Sequence, residues 1–140
     1  MFREIPKILV IDDDLDTLNL LRIELQLAKY SVLTAASWDE VMDRLRLVYG
    51  EGGSIRAIIL DLMIPERSGF DILLALRVIL DPMPPVIVLS ALSDIESAIK
   101  ARELGAMRYL TKPTDRKALI NAIKEAVSMQ IQSKLQLKRQ

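Results

Sequence analysis

Short apolar runs recur along the chain at Ile8 to Ile11, Ser31 to Ala35, Ile55 to Leu60, Val86 to Leu89 and Met107 to Leu110. Each is followed by polar turn chemistry and then by a helical pattern. Runs this short and unbroken predict strands buried on both faces, as parallel strands are when crossover helices cover the sheet. The intervening segments carry helix starts. Ser37-Trp38-Asp39-Glu40 and Ser93-Asp94-Ile95-Glu96 both match the capping box, in which an N-cap hydroxyl and a glutamate three residues later satisfy free amide donors. Gly50, Gly52, Gly53 and Gly105 stand where helices should stop, and Pro82, Pro84 and Pro85 force a break before the fourth strand. Strand and helix alternating in this way predict an α/β fold: a doubly wound, five-stranded parallel sheet with helices on both faces. In such sheets functional groups gather beyond the carboxyl ends of the strands, where strand order reverses.

The length of 140 residues suits one domain with a real core. The expected division is a domain over 1–127 and, over 128–140, a glutamine- and lysine-rich helical extension or linker. With 19 basic and 19 acidic side chains the formal charge is zero, so no global field draws the chain to nucleic acid or to an anionic membrane, and neither is expected as a direct partner. Cysteine and histidine are both absent. Catalysis or metal binding must therefore use carboxylates, hydroxyls, lysine and backbone, and carboxylate oxygens favour hard ions such as Mg²⁺ or Ca²⁺. Met1 to Lys7 is mixed polar and apolar with no long hydrophobic stretch after it, so neither a signal peptide nor a membrane-spanning helix is visible. A cytoplasmic location is expected.

The residues with chemistry stand at the strand ends. Asp12, Asp13, Asp14 and Asp16 follow the first strand, Asp61 the third, Ser90 the fourth, and Lys112-Pro113 the fifth. Carboxylates crowded at one edge repel one another unless a cation sits among them, so the cluster itself points to a divalent ion. A carboxylate nucleophile, a metal, a lysine and a hydroxyl are the parts that phosphoryl transfer requires. Asp14 and Asp16, taken singly, read as caps of the first helix.

From Lys7 to about Val127 the chain resembles the receiver domains of bacterial two-component response regulators. The resemblance rests on Lys7-Ile8-Leu9-Val10-Ile11-Asp12-Asp13, on Asp61-Leu62-Met63-Ile64-Pro65 with Gly69, on Ser90-Ala91, and on Tyr109-Leu110-Thr111-Lys112-Pro113. It implies the flavodoxin-like strand order 2-1-3-4-5. It implies Asp61 as phosphoacceptor, charged by a histidine kinase or phosphotransfer protein, and Mg²⁺ bound by Asp12 (through water), Asp13, Asp61 and the backbone carbonyl of Met63. Ser90 and Lys112 would contact the phosphoryl group. Ser90 and Tyr109 would form the switch, the tyrosine turning inward and changing the face made by the fourth helix, fifth strand and fifth helix. The Lys112-Pro113 bond would be cis. Self-phosphorylation and slow self-dephosphorylation are the only reactions implied, so the chain is not expected to be an enzyme. Ser90 stands for a commoner threonine, Ile64 for methionine and Thr114 for phenylalanine, and none removes a required group.

In the same family the residues two positions after the phosphoacceptor and after the hydroxyl residue flank the path of hydrolytic water. Here they are Met63 and Leu92, both apolar, so a long-lived phosphoryl group is expected. The output is either that of a stand-alone switch or that of the sensory part of a longer regulator. Val127, Ile131 and Leu135 recur at four-residue spacing, which favours a linker or a homodimerising helix.

Three other classes fit worse. Dehalogenase-like phosphatases need Thr or Val where Asp16 or Leu18 stands, and more chain for a cap domain. An EF-hand needs glycine at Thr17 and glutamate at Ile23. A flavin-binding module needs a phosphate loop where four aspartates stand.

Overall fold

A computed structural model of the chain describes residues 5–64 and 67–139, with side chains described as far as Met129. Strands and helices alternate strictly: β1 (Lys7–Ile11), α1 (Leu15–Leu27), β2 (Ser31–Ala35), α2 (Trp38–Gly50), β3 (Ala57–Leu60), α3 (Gly69–Ile79), β4 (Val86–Ser90), α4 (Ile95–Glu103), β5 (Arg108–Thr111) and α5 (Arg116–Arg139). The strands form one parallel sheet in the order β2-β1-β3-β4-β5. The expected fold and strand order are both present.

Alternation along each strand divides the core into two layers. Leu9, Ile11, Ile58, Leu60, Val86 and Val88 face α2, α3 and α4, meeting Val41, Leu45, Ile72, Leu73, Leu76 and Ala101. Ile8, Val10, Ala57, Ile59, Ile87 and Leu89 face α1 and α5, meeting Leu18, Leu21, Leu25, Leu119 and Ile123. Full burial of a leucine or isoleucine such as Leu25 or Ile58 is worth about 1.5–3 kcal/mol, so the central strands anchor everything at their ends.

The expected helix starts are present except at α4. Asp14 caps α1, its carboxylate accepting from the Asp16 amide and, at 2.7 Å, from the Thr17 hydroxyl. Ser37 caps α2, while the Glu40 carboxylate reaches back to the Ala36 amide rather than to that of Ser37. At α4 the cap is Asp94, not Ser93: its carboxylate accepts from the Ser97 amide at 2.9 Å, and an ionised acceptor one residue later competes better for the free amides than a hydroxyl does. Strand limits shift slightly, with β3 beginning at Ala57 because Ile55 and Arg56 bond to the Tyr49 hydroxyl and the Lys7 carbonyl outside the ladder.

Helix α5 spans 24 residues, roughly 36 Å at the usual rise. Its stripe Leu119, Ala122, Ile123, Ala126 and Val127 packs on the sheet, and the helix continues to Arg139. The expected apolar positions Ile131 and Leu135 lie outside the described side chains, as does Pro65 outside the described residues.

Candidate functional site

The strand order makes β1 and β3 neighbours although α1, β2 and α2 separate them in sequence. Backbone bonding continues just past the strand ends. The Asp12 amide donates to Ala35, the Asp61 amide to Ile11 and the Lys112 amide to Ser90. Each chemistry-bearing residue is thus fixed by the sheet before its side chain does anything.

Asp12, Asp61 and Ser90 are buried and Asp13 is exposed. Carboxylate oxygens of Asp12, Asp13 and Asp61 lie within 4.8 Å of one another. Lys112 Nζ bridges two of them, 2.6 Å from Asp12 Oδ2 and 3.0 Å from Asp61 Oδ2. The remaining oxygens accept from backbone: Asp12 Oδ1 from the Asp14 amide and Asp61 Oδ1 from the Met63 amide, both at 3.0 Å. With both oxygens of Asp61 held, the plane of its carboxylate is set.

Burial pushes the Asp12 carboxyl above its ordinary value, even though Lys112 and the Asp14 amide pull it down, and the charge of Asp61 adds to the rise. For Lys112 burial works the other way, but the bonds to Asp12 and Asp61 outweigh it and hold the ammonium above its ordinary value. The site is short of positive charge: three carboxylates cluster there, and one lysine bonds two of them. That donor set, oxygen only and partly buried, fits a hard divalent cation.

Ser90 Oγ accepts from the Leu92 amide at 3.3 Å, and the Tyr109 hydroxyl donates to the Leu92 carbonyl at 2.6 Å. The β4–α4 turn is thereby held from both sides. Tyr109 packs partly buried against the α2–α4 layer, and burial raises its phenol while Ser90 opposes the rise. The tyrosine is already engaged with the turn. The Lys112–Pro113 bond is cis.

The sequence singles out Gly69 without showing its cause. A Cβ there would stand 2.3 Å from Leu62 Cα and 2.6 Å from the Asp61 carbonyl oxygen, so α3 can begin this close to the Asp61 turn only with glycine. The Gly69 amide closes the turn on the Leu62 carbonyl at 3.0 Å. Leu92 is partly buried against the core, whereas Met63 is 54% exposed. A contact that sequence reasoning missed is the Arg67 guanidinium over the Trp38 ring, 4.8 Å from its centroid, because no periodicity links two positions so far apart in the chain.

Residues 8–124 match the family described as the response regulator receiver domain. The chain belongs to that family. Among its relatives are the transcriptional regulatory protein CpxR of Escherichia coli (strain K12), 34% identical over 84% of this chain and 47% of CpxR, and the transcriptional regulatory protein KdpE of Mycobacterium tuberculosis, 36% identical over 86% of this chain and 50% of KdpE. A solved response regulator receiver domain protein from Clostridium thermocellum is 36% identical, with a TM-score of 0.78 over 90% of this chain and 97% of that one. The chain spans about half or less of the length of the curated relatives it matches. It is a receiver domain of the response-regulator type. Among the described residues no helix is long and apolar enough to cross a membrane.

Proposed function

We propose that Asp61 is the phosphoacceptor of this receiver domain. The observation that carries the assignment is the Lys112 bridge, which joins the buried carboxylate just after β3 to Asp12 of the acidic pair just after β1. A carboxylate oxygen of Asp61 attacks the phosphorus of the donor, the bond from phosphorus to the donor breaks, and its electron pair leaves with the donor. Lys112 and the Ser90 hydroxyl would take oxygens of the new phosphoryl group. Asp12, Asp13 and Asp61, with the Met63 carbonyl, would hold Mg²⁺, which when bound supplies positive charge to the phosphoryl oxygens.

The signal passes through the β4–α4 turn. A phosphoryl group competing for Ser90 Oγ pulls on the turn that Tyr109 grips at Leu92, and so biases the face of α4, β5 and α5. The lengths of CpxR and KdpE favour a sensory part joined through 128–140 to an effector that regulates transcription; a stand-alone or homodimeric switch is the second reading. The expected place of action is the cytoplasm.

Acetyl phosphate with MgCl₂ tests the assignment by mass spectrometry. The wild type takes up one phosphoryl group, and chelation or Asp61→Asn abolishes uptake. Full labelling of Asp61→Asn at another residue would sink the assignment.

A further inference from the structure

A second cationic contact joins the same segments on the outside of the site. Trp38, the only tryptophan of the chain, is the first residue of α2, and it packs partly buried against the α2–α4 layer that includes Leu33 and Met42. Its backbone is set by the Ser37 cap and by the Glu40 carboxylate on the Ala36 amide. The strand end leading into it is bonded to the site itself, since the Ala35 carbonyl accepts from the Asp12 amide at 3.1 Å. Trp38 is therefore a fixed platform referenced to Asp12.

Arg67 belongs to the turn that Asp61 opens. The base of that turn is closed by the Met63 amide on Asp61 Oδ1, by the Gly69 amide on the Leu62 carbonyl and by burial of Ile64. Arg67 is exposed, yet its guanidinium stacks over the Trp38 ring. Arginine suits this contact because its planar, weakly hydrated cation stacks on an indole at little desolvation cost.

We propose that Arg67 and Trp38 form a clasp, two positioning residues that hold the start of α3 and, through the bond from Gly69 to Leu62, the main chain of Met63 where divalent-cation binding at Asp12, Asp13 and Asp61 requires it. The clasp rests on the reading of those carboxylates as a divalent-cation site. Inside the site Lys112 ties Asp12 to Asp61; outside it Arg67 ties the loop after Asp61 to the strand end beside Asp12. Ligand affinity falls in proportion to the fraction of molecules whose site is correctly arranged, so a loop released from Trp38 binds the cation more weakly without any ligand having changed.

The test titrates the full chain with MgCl₂, followed in every variant by the backbone amide signals of Asp13 and Met63 and, in those that keep Trp38, independently by its fluorescence. Arg67→Gln is expected to raise the Mg²⁺ dissociation constant roughly two- to fivefold, the range an exposed cation–π contact supports. Arg67→Lys should restore part of the loss. Trp38→Leu should weaken binding similarly, Trp38→Phe less, and the double variant Arg67→Gln/Trp38→Leu no more than the more affected single variant. Thermal unfolding of each variant shows whether it is folded at the titration temperature, and the exposed Arg67 carries the decision if Trp38→Leu is not. An unchanged dissociation constant in Arg67→Gln, no recovery in Arg67→Lys, or additive losses in the double variant would overturn the clasp. A wild type whose amides do not respond to MgCl₂ would overturn the metal reading and the clasp together, an outcome distinct from wild-type binding that Arg67→Gln leaves untouched.

Discussion

Lys112 Nζ lies 3.0 Å from Asp61 Oδ2 across 51 residues of sequence, and the contact is largely shielded, with the lysine side chain 24% exposed and the aspartate 9%. The same ammonium holds Asp12, so one cation balances part of the charge of two buried carboxylates.

Lys112→Ala leaves those carboxylates uncompensated. Breaking a buried pair costs several kcal/mol, and with the partial exposure of Lys112 a loss of about 1–3 kcal/mol is expected in urea unfolding without metal, largely recovered by MgCl₂. The folded-state value of the ammonium is raised, so its contribution is fully present below its ordinary value of 10.5 and lost as pH rises through the higher folded value. The gap between wild type and variant should therefore stay constant at neutral pH and close only in strong alkali. Labelling of Asp61 should persist in Lys112→Ala while the change at the α4, β5 and α5 face is lost, read from amide shifts on those elements.

Asp12 behaves oppositely to an ordinary stabilising carboxylate. Its folded-state value is raised by burial, so the stability it contributes belongs to the protonated form, is present below the ordinary value of 3.8, and is lost as pH climbs through the folded value. At neutral pH its charge is a net cost to the metal-free fold. Asp12→Asn should raise the melting temperature in chelator and abolish the further rise that Mg²⁺ gives the wild type. A lower melting temperature in chelator would refute this account of the site.

Gly69→Ala forces a methyl group into the backbone of Leu62 and Asp61. Overpacking against main chain, which cannot rotate away, is expected to cost about 3 kcal/mol in urea unfolding. The labelling rate of the variant should fall at the same time, because the turn that moves is the one carrying Asp61. Wild-type stability with wild-type labelling would contradict the close approach of α3.

Phosphoryl loss should be slow because neither Met63 nor Leu92 can orient a water. The 54% exposed Met63 is the freer of the two, while Leu92 is partly committed to the core, so Met63→Asn is expected to speed loss more than Leu92→Glu. The decay of labelled protein after removal of donor measures this. If the double variant decays no faster than wild type, these side chains do not set the lifetime.

The strand ends were legible because parallel-sheet chemistry concentrates there: Asp12, Asp61 and Ser90 each follow or end an apolar run whose length and composition mark it as a buried strand, whereas Lys112 follows the edge strand β5, which is exposed at both ends. Which strands are neighbours was not legible from periodicity, and the order came from family resemblance. The cap of α4 was misplaced by one residue because Ser93 and Asp94 both carry suitable oxygens and only the local backbone decides between them. The steric demand at Gly69 and the Arg67–Trp38 contact depend on how loops approach one another in space, for which a linear pattern has no signature.

The hydrogen bond from Lys112 to Asp12 closes a span of 100 residues, and Asp61 comes between them in sequence, just past a strand that must pair beside β1. During synthesis, then, the acidic pair, the acceptor and their shared cation leave the ribosome at widely separated times. A nascent chain that has not yet released β5 has the carboxylates without the lysine that bridges them. The bridge is thus a property of the finished sheet alone.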